Sequence, residues 1–525
     1  MRDLHLPGRS PVLATNGMAA TSHPLAARIA VDTMARGGNA ADAAIAGAVM
    51  LELCEPAMTG LGGDCFVLLK PAGSEDVIAL NGSGRAPADA RAQSLRAQGL
   101  TSIPLRSIHS VTIPGAVDAF CALSERHGKL GIADTLGPVI PYFEAGVPVA
   151  PRVAFDWSQS ADVLTESAHA AYLKNGAPYG FGDRFALPGQ AEVLRRIAAE
   201  GRDGFYAGEV AEDMIASLRK AGGVHAAEDF AACACDWLEP VSGTYKGVDL
   251  IEHPPNGQGA TAILMANILA QFDLASLDPL GARRIHLEAE ATKLAMDARN
   301  RFLADADHMT ALDRMLDPAV AAKLADLINP KRAMAAAAPL TEAVHKDTVY
   351  ITVVDGDGMA VSLIYSIFHD FGSGIASDRF GILMQNRGAG FTLDRWHPNE
   401  FGGGKRPMHT IIPAMLREGG RVTMPFGVMG GAYQPTGHVR MLSNMLDYGM
   451  DVQSAIDAPR AFTQDGELRV ERGYSDSVRA DLYAMGHTVV VPDTPIGGAQ
   501  AIRIDPAGYL EGASDPRKDG CALGY

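Results

Sequence analysis

The sequence predicts an α+β fold in which layers of helix pack on sheet, and three observations carry that expectation. The first part of the chain has helical apolar spacing, the part after residue 347 shifts to alternating strands, and the composition is that of a folded protein throughout. Of the 525 residues, 47% are hydrophobic and 20% are charged, with no Ser/Gln-rich or single-sign tract, so a large core is available and disorder is expected only at the ends.

From Ser22, SHPLAARIAVDTMARGG has a capping residue, apolar spacing at Leu25, Ile29, Val31 and Met34, and a Gly37-Gly38 stop, which predicts a helix. NAADAAIAGAVMLELC (39–54) continues as an Ala-rich helix expected to be buried, and LGGDCFVLLK (61–70) turns into a strand. RRIHLEAEATKLAMDARNRFL (283–303) puts Leu287, Ala291, Leu294, Ala295, Ala298 and Phe302 on one stripe with charges opposite, predicting a surface helix against a core. The Ala-rich AMAAAAPLTEAVHKD (333–347) carries little packing information and reads as an exposed linker at the best internal boundary. Beyond it TVYITVVD, MAVSLIYS, GILMQ and HTIIPAML read as strands, whereas PPNGQG (254–259) and FGGGKRP (401–407) read as loops. No internal repeat is present.

A net charge of −16 without a Lys/Arg cluster argues against nucleic acid and anionic membrane surfaces as partners. Nothing approaches the roughly 18 uninterrupted apolar residues of a membrane-spanning helix. Cys54, Cys65, Cys121, Cys233, Cys235 and Cys521 form no metal-type CxxC pair and read as core thiols of a reducing compartment. The opening MRDLHLPGRSPVLATNG has no apolar signal core, so a cytoplasmic location is expected.

Several chemistries fail on spacing. His286, Glu288 and Glu290 lack the second His of a zinc-protease helix, and GGGK (402–405) lacks the first glycine of a phosphate loop. Asp305 and Asp307 do not extend into a calcium loop, and no GxSxG elbow occurs.

HKDTVYITVVDGDGMAVSLIYS (345–366) is different: Thr348 opens an alternating strand, a DGDG turn follows, and a second strand returns. Locally this fits an ordinary hairpin, and it also fits an enzyme that makes its own nucleophile by cutting the Asp347–Thr348 bond. A Thr hydroxyl needs a base to take its proton as it attacks. The freed α-amino group, ordinarily titrating at about 7.7 to 8.0, would put that base on the same residue. Gly430-Gly431 in FGVMGGAYQPTGH (426–438) can aim two backbone N–H groups at an oxyanion, or simply make a turn. Arg85 in NGSGRAP and Arg387 in QNRGAGF sit among small residues that leave a guanidinium accessible to a carboxylate; a solvated surface Arg is the ordinary alternative.

Taken in order, GGNAADAAIA (37–46), LGGDCFVLL (61–69), TIPGAVDAF (112–120), TVYITVVDGDGMAVS (348–362), FGSGI (371–375), KRPMHTIIP (405–413), MGGAYQ (429–434), DAPR (457–460) and GASDPRKDGCALGY (512–525) resemble the γ-glutamyltranspeptidase family of N-terminal-nucleophile hydrolases almost end to end. The resemblance implies a four-layer αββα sandwich in which residues 1–347 and 348–525 become two intertwined subunits of one precursor. It implies Thr348 as nucleophile, Asp347–Thr348 as the cleaved bond, Ser366 as a hydroxyl orienting the nucleophile, and Gly430 and Gly431 as the oxyanion pair. No metal or organic cofactor is implied, and a homo-oligomer of the processed pair is allowed.

The substrate pocket departs from the family pattern. The position of the family's carboxylate-gripping Arg aligns with Ser83, with Arg85 two residues later, and the Asn, Gln and Asp that hold the γ-glutamyl amine align with Phe368, Arg387 and Gly390. Its paired serines become His409 and Thr410, and the segment between Phe391 and Lys405 is shorter than the usual lid. Losing an acid and gaining Arg387 opposes a substrate ammonium, a repulsion still on the kcal/mol scale at about 4 Å. QNRGAGF and KRPMHTIIP look more like the subgroup that includes oxamate amidohydrolase, so Arg85 and Arg387, with His409 and Thr410, are expected to hold a small anionic amide such as oxamate. A γ-glutamyl hydrolase or transferase of the glutathione hydrolase type with a rebuilt pocket, and an uncleaved inactive binding protein, are the competing readings.

Overall fold

The computed structural model describes His5, residues 8–334 and residues 348–525. Asp347 and most of the expected linker lie outside the described residues.

Two seven-stranded sheets form the centre, every neighbouring pair of strands antiparallel. The first runs, in spatial order, Cys521–Gly524, Gly17–Thr21, Val349–Asp355, Ala360–Ser366, Asp64–Lys70, Ile78–Gly82, Asp236–Leu238. The second runs Val12–Ala14, Leu510–Ser514, Gly498–Ile504, Arg421–Met429, Ala414–Glu418, Val248–Glu252, Val241–Tyr245. Each sheet draws strands from both sides of residue 348.

Alternation along the strands builds the layers, because successive side chains point to opposite faces. Val349, Ile351 and Val353 pack outward against helices Pro24–Ala35 and Ala40–Cys54, whereas Tyr350 and Val354 face the space between the sheets. Met18, Leu68, Ala360, Met415 and Ile502 fill that space from both sheets. On the far side, helices Gly259–Leu269 and Gln434–Leu446 cover the second sheet through Ile263 and Leu442, and helix Ala282–Phe302 packs on Gly259–Leu269. The result is the expected four-layer sandwich of helix, sheet, sheet and helix.

The first two helices form where expected. His23, rather than Ser22, caps the first by accepting the Leu25 N–H, and Gly37 follows its end at a φ of 101° that other residues rarely adopt. Asn39 caps the second, completed by Asp42. Within that helix Gly47 is a helix-weakening residue by about 1 kcal/mol relative to Ala. Its reason is contact: a Cβ there would lie 2.3 Å from Ile351 Cδ1 of the central strand. The DGDG turn closes through Asp355, whose Oδ1 accepts the Asp357 and Met359 N–H groups at 3.0 Å each. Its Oδ2 accepts the Ala40 N–H at 2.9 Å, fastening the turn to the second helix.

Three expectations are corrected. GILMQ (381–385) is not a regular strand: Ile382 N–H bonds Ser377 Oγ, Met384 N–H bonds the Ile375 carbonyl and Gln385 N–H bonds the Gly62 carbonyl, so loops satisfy its backbone. In HTIIPAML the strand begins only at Ala414, after Pro413, which has no N–H to contribute to a ladder. The helix Ala282–Phe302 is not a surface helix: Arg284, His286, Glu288, Glu290 and Arg299 on its polar side are buried as well. They are tolerated there because they are paired, as in Arg284–Glu288 at 2.8 Å and Lys293–Glu290 at 2.7 Å. Of the six thiols, all free, only Cys54 and Cys65 are buried and the other four are partly exposed. No described helix is long and apolar enough to cross a membrane.

Candidate active site

Hairpin register sets the first contact. Val349 pairs with Tyr365, so Thr348 and Ser366, one step further out, stand opposite each other. Thr348 is buried, and its Oγ1 lies 3.5 Å from Ser366 Oγ, a long contact.

Ser366 Oγ is also an acceptor for the Phe368 N–H at 2.9 Å and for Arg387 Nη2 at 3.3 Å. Phe368 has a φ of 83°, a conformation in which a bulky residue is strained and which clusters at functional sites. That turn places its ring 3.9 Å beneath the Arg387 guanidinium, within cation–π range. Arg387 is fully buried on the short turn Arg387–Gly390, and its Nη1 donates to Thr410 Oγ1 at 3.0 Å. Thr348, Ser366, Arg387 and Thr410 are therefore brought together.

Gly430 and Gly431 join strand Arg421–Met429 to helix Gln434–Leu446 through a single 3₁₀ turn, with φ of 123° and 55°. Both angles favour glycine, and the turn sets backbone N–H groups at the start of a helix, where negative charge is stabilised. Gln258 ties this turn to the Arg387 cluster. Its Nε2 donates to the Thr410 carbonyl at 2.6 Å and to the Gly431 carbonyl at 3.0 Å, while Arg299 Nη1 holds its Oε1 at 3.1 Å.

The other two expected pocket residues have different partners. His409 is buried, with Nε2 on Asp64 Oδ2 at 3.0 Å and Nδ1 accepting the Ile411 N–H at 3.4 Å, so both ring nitrogens serve the scaffold rather than a substrate. Burial first, and the Arg387 charge second, push its pKa down to about 3, so the ring is neutral near pH 7. Arg85 is 39% exposed and pairs with Asp305 at 3.3 Å and Asp236 at 3.8 Å, sharing no hydrogen-bond partner with Arg387 among the described residues. Ser83, two residues before it, receives Asn256 Nδ2 on its Oγ and Arg406 Nε on its carbonyl.

Sequence reasoning missed Gln258, Asp64, Asn256 and Arg406. Asp64 accepts the Gly84 and Gly115 N–H groups and Gln385 Nε2 on one oxygen and the His409 ring on the other. An available signal was polar residues inside apolar runs: Asp64 in GGDCFVLL and Gln258 in GQGATAILM have no reason to be buried unless bonded.

This geometry agrees with what the chain is similar to. The family model described as Gamma-glutamyltranspeptidase matches residues 26–525. The chain is 36% identical over 526 residues to the glutathione hydrolase-like YwrD proenzyme of Bacillus subtilis, covering 98% of this chain and 99% of that one. It is 33% identical over 535 residues to the oxamate amidohydrolase proenzyme of Klebsiella pneumoniae, again covering 98% and 99%. Among solved structures, the cephalosporin acylase from Bacillus halodurans matches with a TM-score of 0.93 at 36% identity, over 100% of this chain and 98% of that one. With the sandwich, the Thr348 hairpin and the double-glycine turn in place, the chain belongs to the gamma-glutamyltranspeptidase family of N-terminal-nucleophile hydrolases and is an enzyme of that family.

Proposed function

We propose that this enzyme is a self-cleaving amidohydrolase, cut between Asp347 and Thr348, whose substrate is the amide of a small anionic acid such as oxamate. One observation carries the substrate reading. Arg387 and Thr348 contact the same Ser366 Oγ at 3.3 and 3.5 Å, which puts a buried positive charge within two hydrogen-bond lengths of the nucleophile. A carboxylate attached directly to the scissile carbonyl, as in oxamate, matches that reach. The α-carboxylate of a γ-glutamyl group lies several carbons further away. The Phe368 face is already covered by the Arg387 guanidinium, so a substrate ammonium placed there would meet a like charge.

The mechanism is acyl transfer. Thr348 Oγ1 attacks the amide carbonyl carbon while its own α-amino nitrogen takes the hydroxyl proton. The carbonyl electron pair moves to oxygen, and the N–H groups at Gly430 and Gly431 stabilise that oxyanion. Its collapse breaks the C–N bond, and the ammonium returns the proton to the leaving amine. Water then attacks the ester by the same proton shuttle and frees the acid. Ser366 and Thr410 hold Arg387, and Ser366 also accepts from Thr348, so one hydroxyl couples substrate charge to nucleophile orientation.

A denaturing gel and product mass spectrometry test this together. Two bands that fuse into one in Thr348→Ala, with all amide cleavage lost, are the expected result. A single full-length wild-type band removes the mechanism. Given processed enzyme, turnover of oxamate and short dicarboxylic monoamides over γ-glutamyl compounds is expected, and the reverse preference overturns the substrate reading.

A further inference from the structure

The helix Ala282–Phe302 carries His286 and Glu290 one turn apart, both fully buried, and a third buried group, His487, reaches them from 201 positions further along the chain. A ligand atom of each lies within 4.8 Å of the others. We propose that these three side chains form a site for a divalent transition metal ion of the zinc class.

The hydrogen bonds define which atoms are offered. His286 Nε2 lies 2.7 Å from the Asn329 carbonyl, and a carbonyl only accepts, so Nε2 carries the proton and Nδ1 carries the lone pair. That Nδ1 lies 2.8 Å from His487 Nε2, which in the metal-free arrangement is the donor. An imidazole whose second nitrogen donates to a backbone carbonyl is the usual setting of a metal-ligating histidine. Glu290 supplies a carboxylate, already oriented by Lys293 Nζ at 2.7 Å on one oxygen and the Met334 N–H at 2.8 Å on the other.

Loading is chemically simple. The His487 proton moves from Nε2 to Nδ1, the two imidazoles each donate a lone pair, and no proton is gained or lost. The two nitrogens separate to about 3.3 Å, the edge of a tetrahedron with metal–nitrogen bonds of roughly 2.0 to 2.1 Å. Lys293 opposes a second cation beside Glu290, so affinity is moderate and rises when that ammonium is removed. Two imidazoles and a carboxylate favour zinc-class ions over magnesium or calcium.

The placement gives the ion a task. His286 and Glu290 precede Thr348, His487 follows it, and Glu290 holds Met334, among the last described residues before Thr348. If cleavage occurs before Thr348, the ion joins the two resulting chains. That consequence rests on the proposed processing; the binding does not, and a failure of either shows separately on the gel and in the titration.

The experiment is titration of tag-free, EDTA-treated enzyme with Co²⁺ alone, read by visible absorption, then displacement by Zn²⁺. One equivalent with tetrahedral d–d bands that Zn²⁺ bleaches is expected. His487→Gln and Glu290→Gln should each weaken uptake by at least about tenfold, and Lys293→Met should strengthen it. Absence of stoichiometric uptake by the wild-type enzyme overturns the proposal whatever the variants do, as does uptake that folded His487→Gln and Glu290→Gln leave unchanged.

Discussion

Arg387 and Arg85 sit in similar sequence settings, among glycine and other small residues, yet the fold gives them opposite surroundings. Arg387 is fully buried and donates to the hydroxyls of Ser366 and Thr410 over an aromatic ring. Arg85 is 39% exposed and pairs with Asp305 and Asp236. A buried guanidinium bonded to the hydroxyl that touches Thr348 can act on chemistry there, because charge-assisted hydrogen bonds are worth about 1.5 to 3 kcal/mol away from water. A partly exposed ion pair contributes about 0 to 1 kcal/mol. The residue type is the same, and only the surroundings decide the role.

The contrast can be broken most directly at Arg387. Arg387→Gln should lower kcat/KM on small anionic amides by about 10- to 100-fold, the loss of one or more charge-assisted bonds. Steady-state kinetics on folded variant decide it, and unchanged kinetics would remove Arg387 from the site.

Burial first, and the same Arg387 charge second, depress His409, which yields a pH test. The His409 pKa is about 3 in the fold against about 6.5 unfolded, so between these values only the unfolded chain binds the proton. Stability is therefore lost as pH falls below about 6.5, at about 1.4 kcal/mol per pH unit for this one group. Denaturant unfolding at stepped pH should show a shallower slope in His409→Gln than in the wild type, where His23, His225, His253 and His487, also depressed by burial, add to the loss.

Thr410→Val should cost about 1 kcal/mol of transition-state stabilisation, roughly fivefold in kcat/KM. Because Thr410 acts by holding Arg387, its effect should disappear in an Arg387→Gln background, a coupling that a double-mutant cycle measures. The smallest effect belongs to Arg85→Gln, with activity within about twofold of wild type and a stability loss below about 1 kcal/mol. A large activity loss there would restore Arg85 to the substrate pocket.

Local pattern made the hairpin legible. The DGDG turn fixes the register, and the register alone puts Thr348 opposite Ser366. The double glycine was legible too, since the left-handed angles at Gly430 and Gly431 need that residue. What stayed hidden was set by tertiary neighbours. Gln258 lies in a segment that reads as a plain loop, and its value comes from reaching Thr410 and Gly431, each over 150 residues away. The helix Ala282–Phe302 reads as half-exposed because its cover, including Arg440 on Glu288, comes from remote sequence, while pairs such as Arg284–Glu288 within the helix look like those of a solvated face. GILMQ has strand composition, but loop carbonyls and Ser377 use the N–H groups that a ladder would need.

Strand Val349–Asp355 lies inside its sheet, flanked by Gly17–Thr21 on one side and Ala360–Ser366 on the other. Chain ends are ordinarily the loosest part of a protein. A polypeptide that starts at Thr348 would instead lead at once into an interior strand, paired from Val349 with Ala360–Ser366 and from Ile351 with Gly17–Thr21, one neighbour from each of the two pieces. Its first nitrogen would then have the positional precision of a core atom, and backbone scission would leave Thr348 anchored rather than frayed.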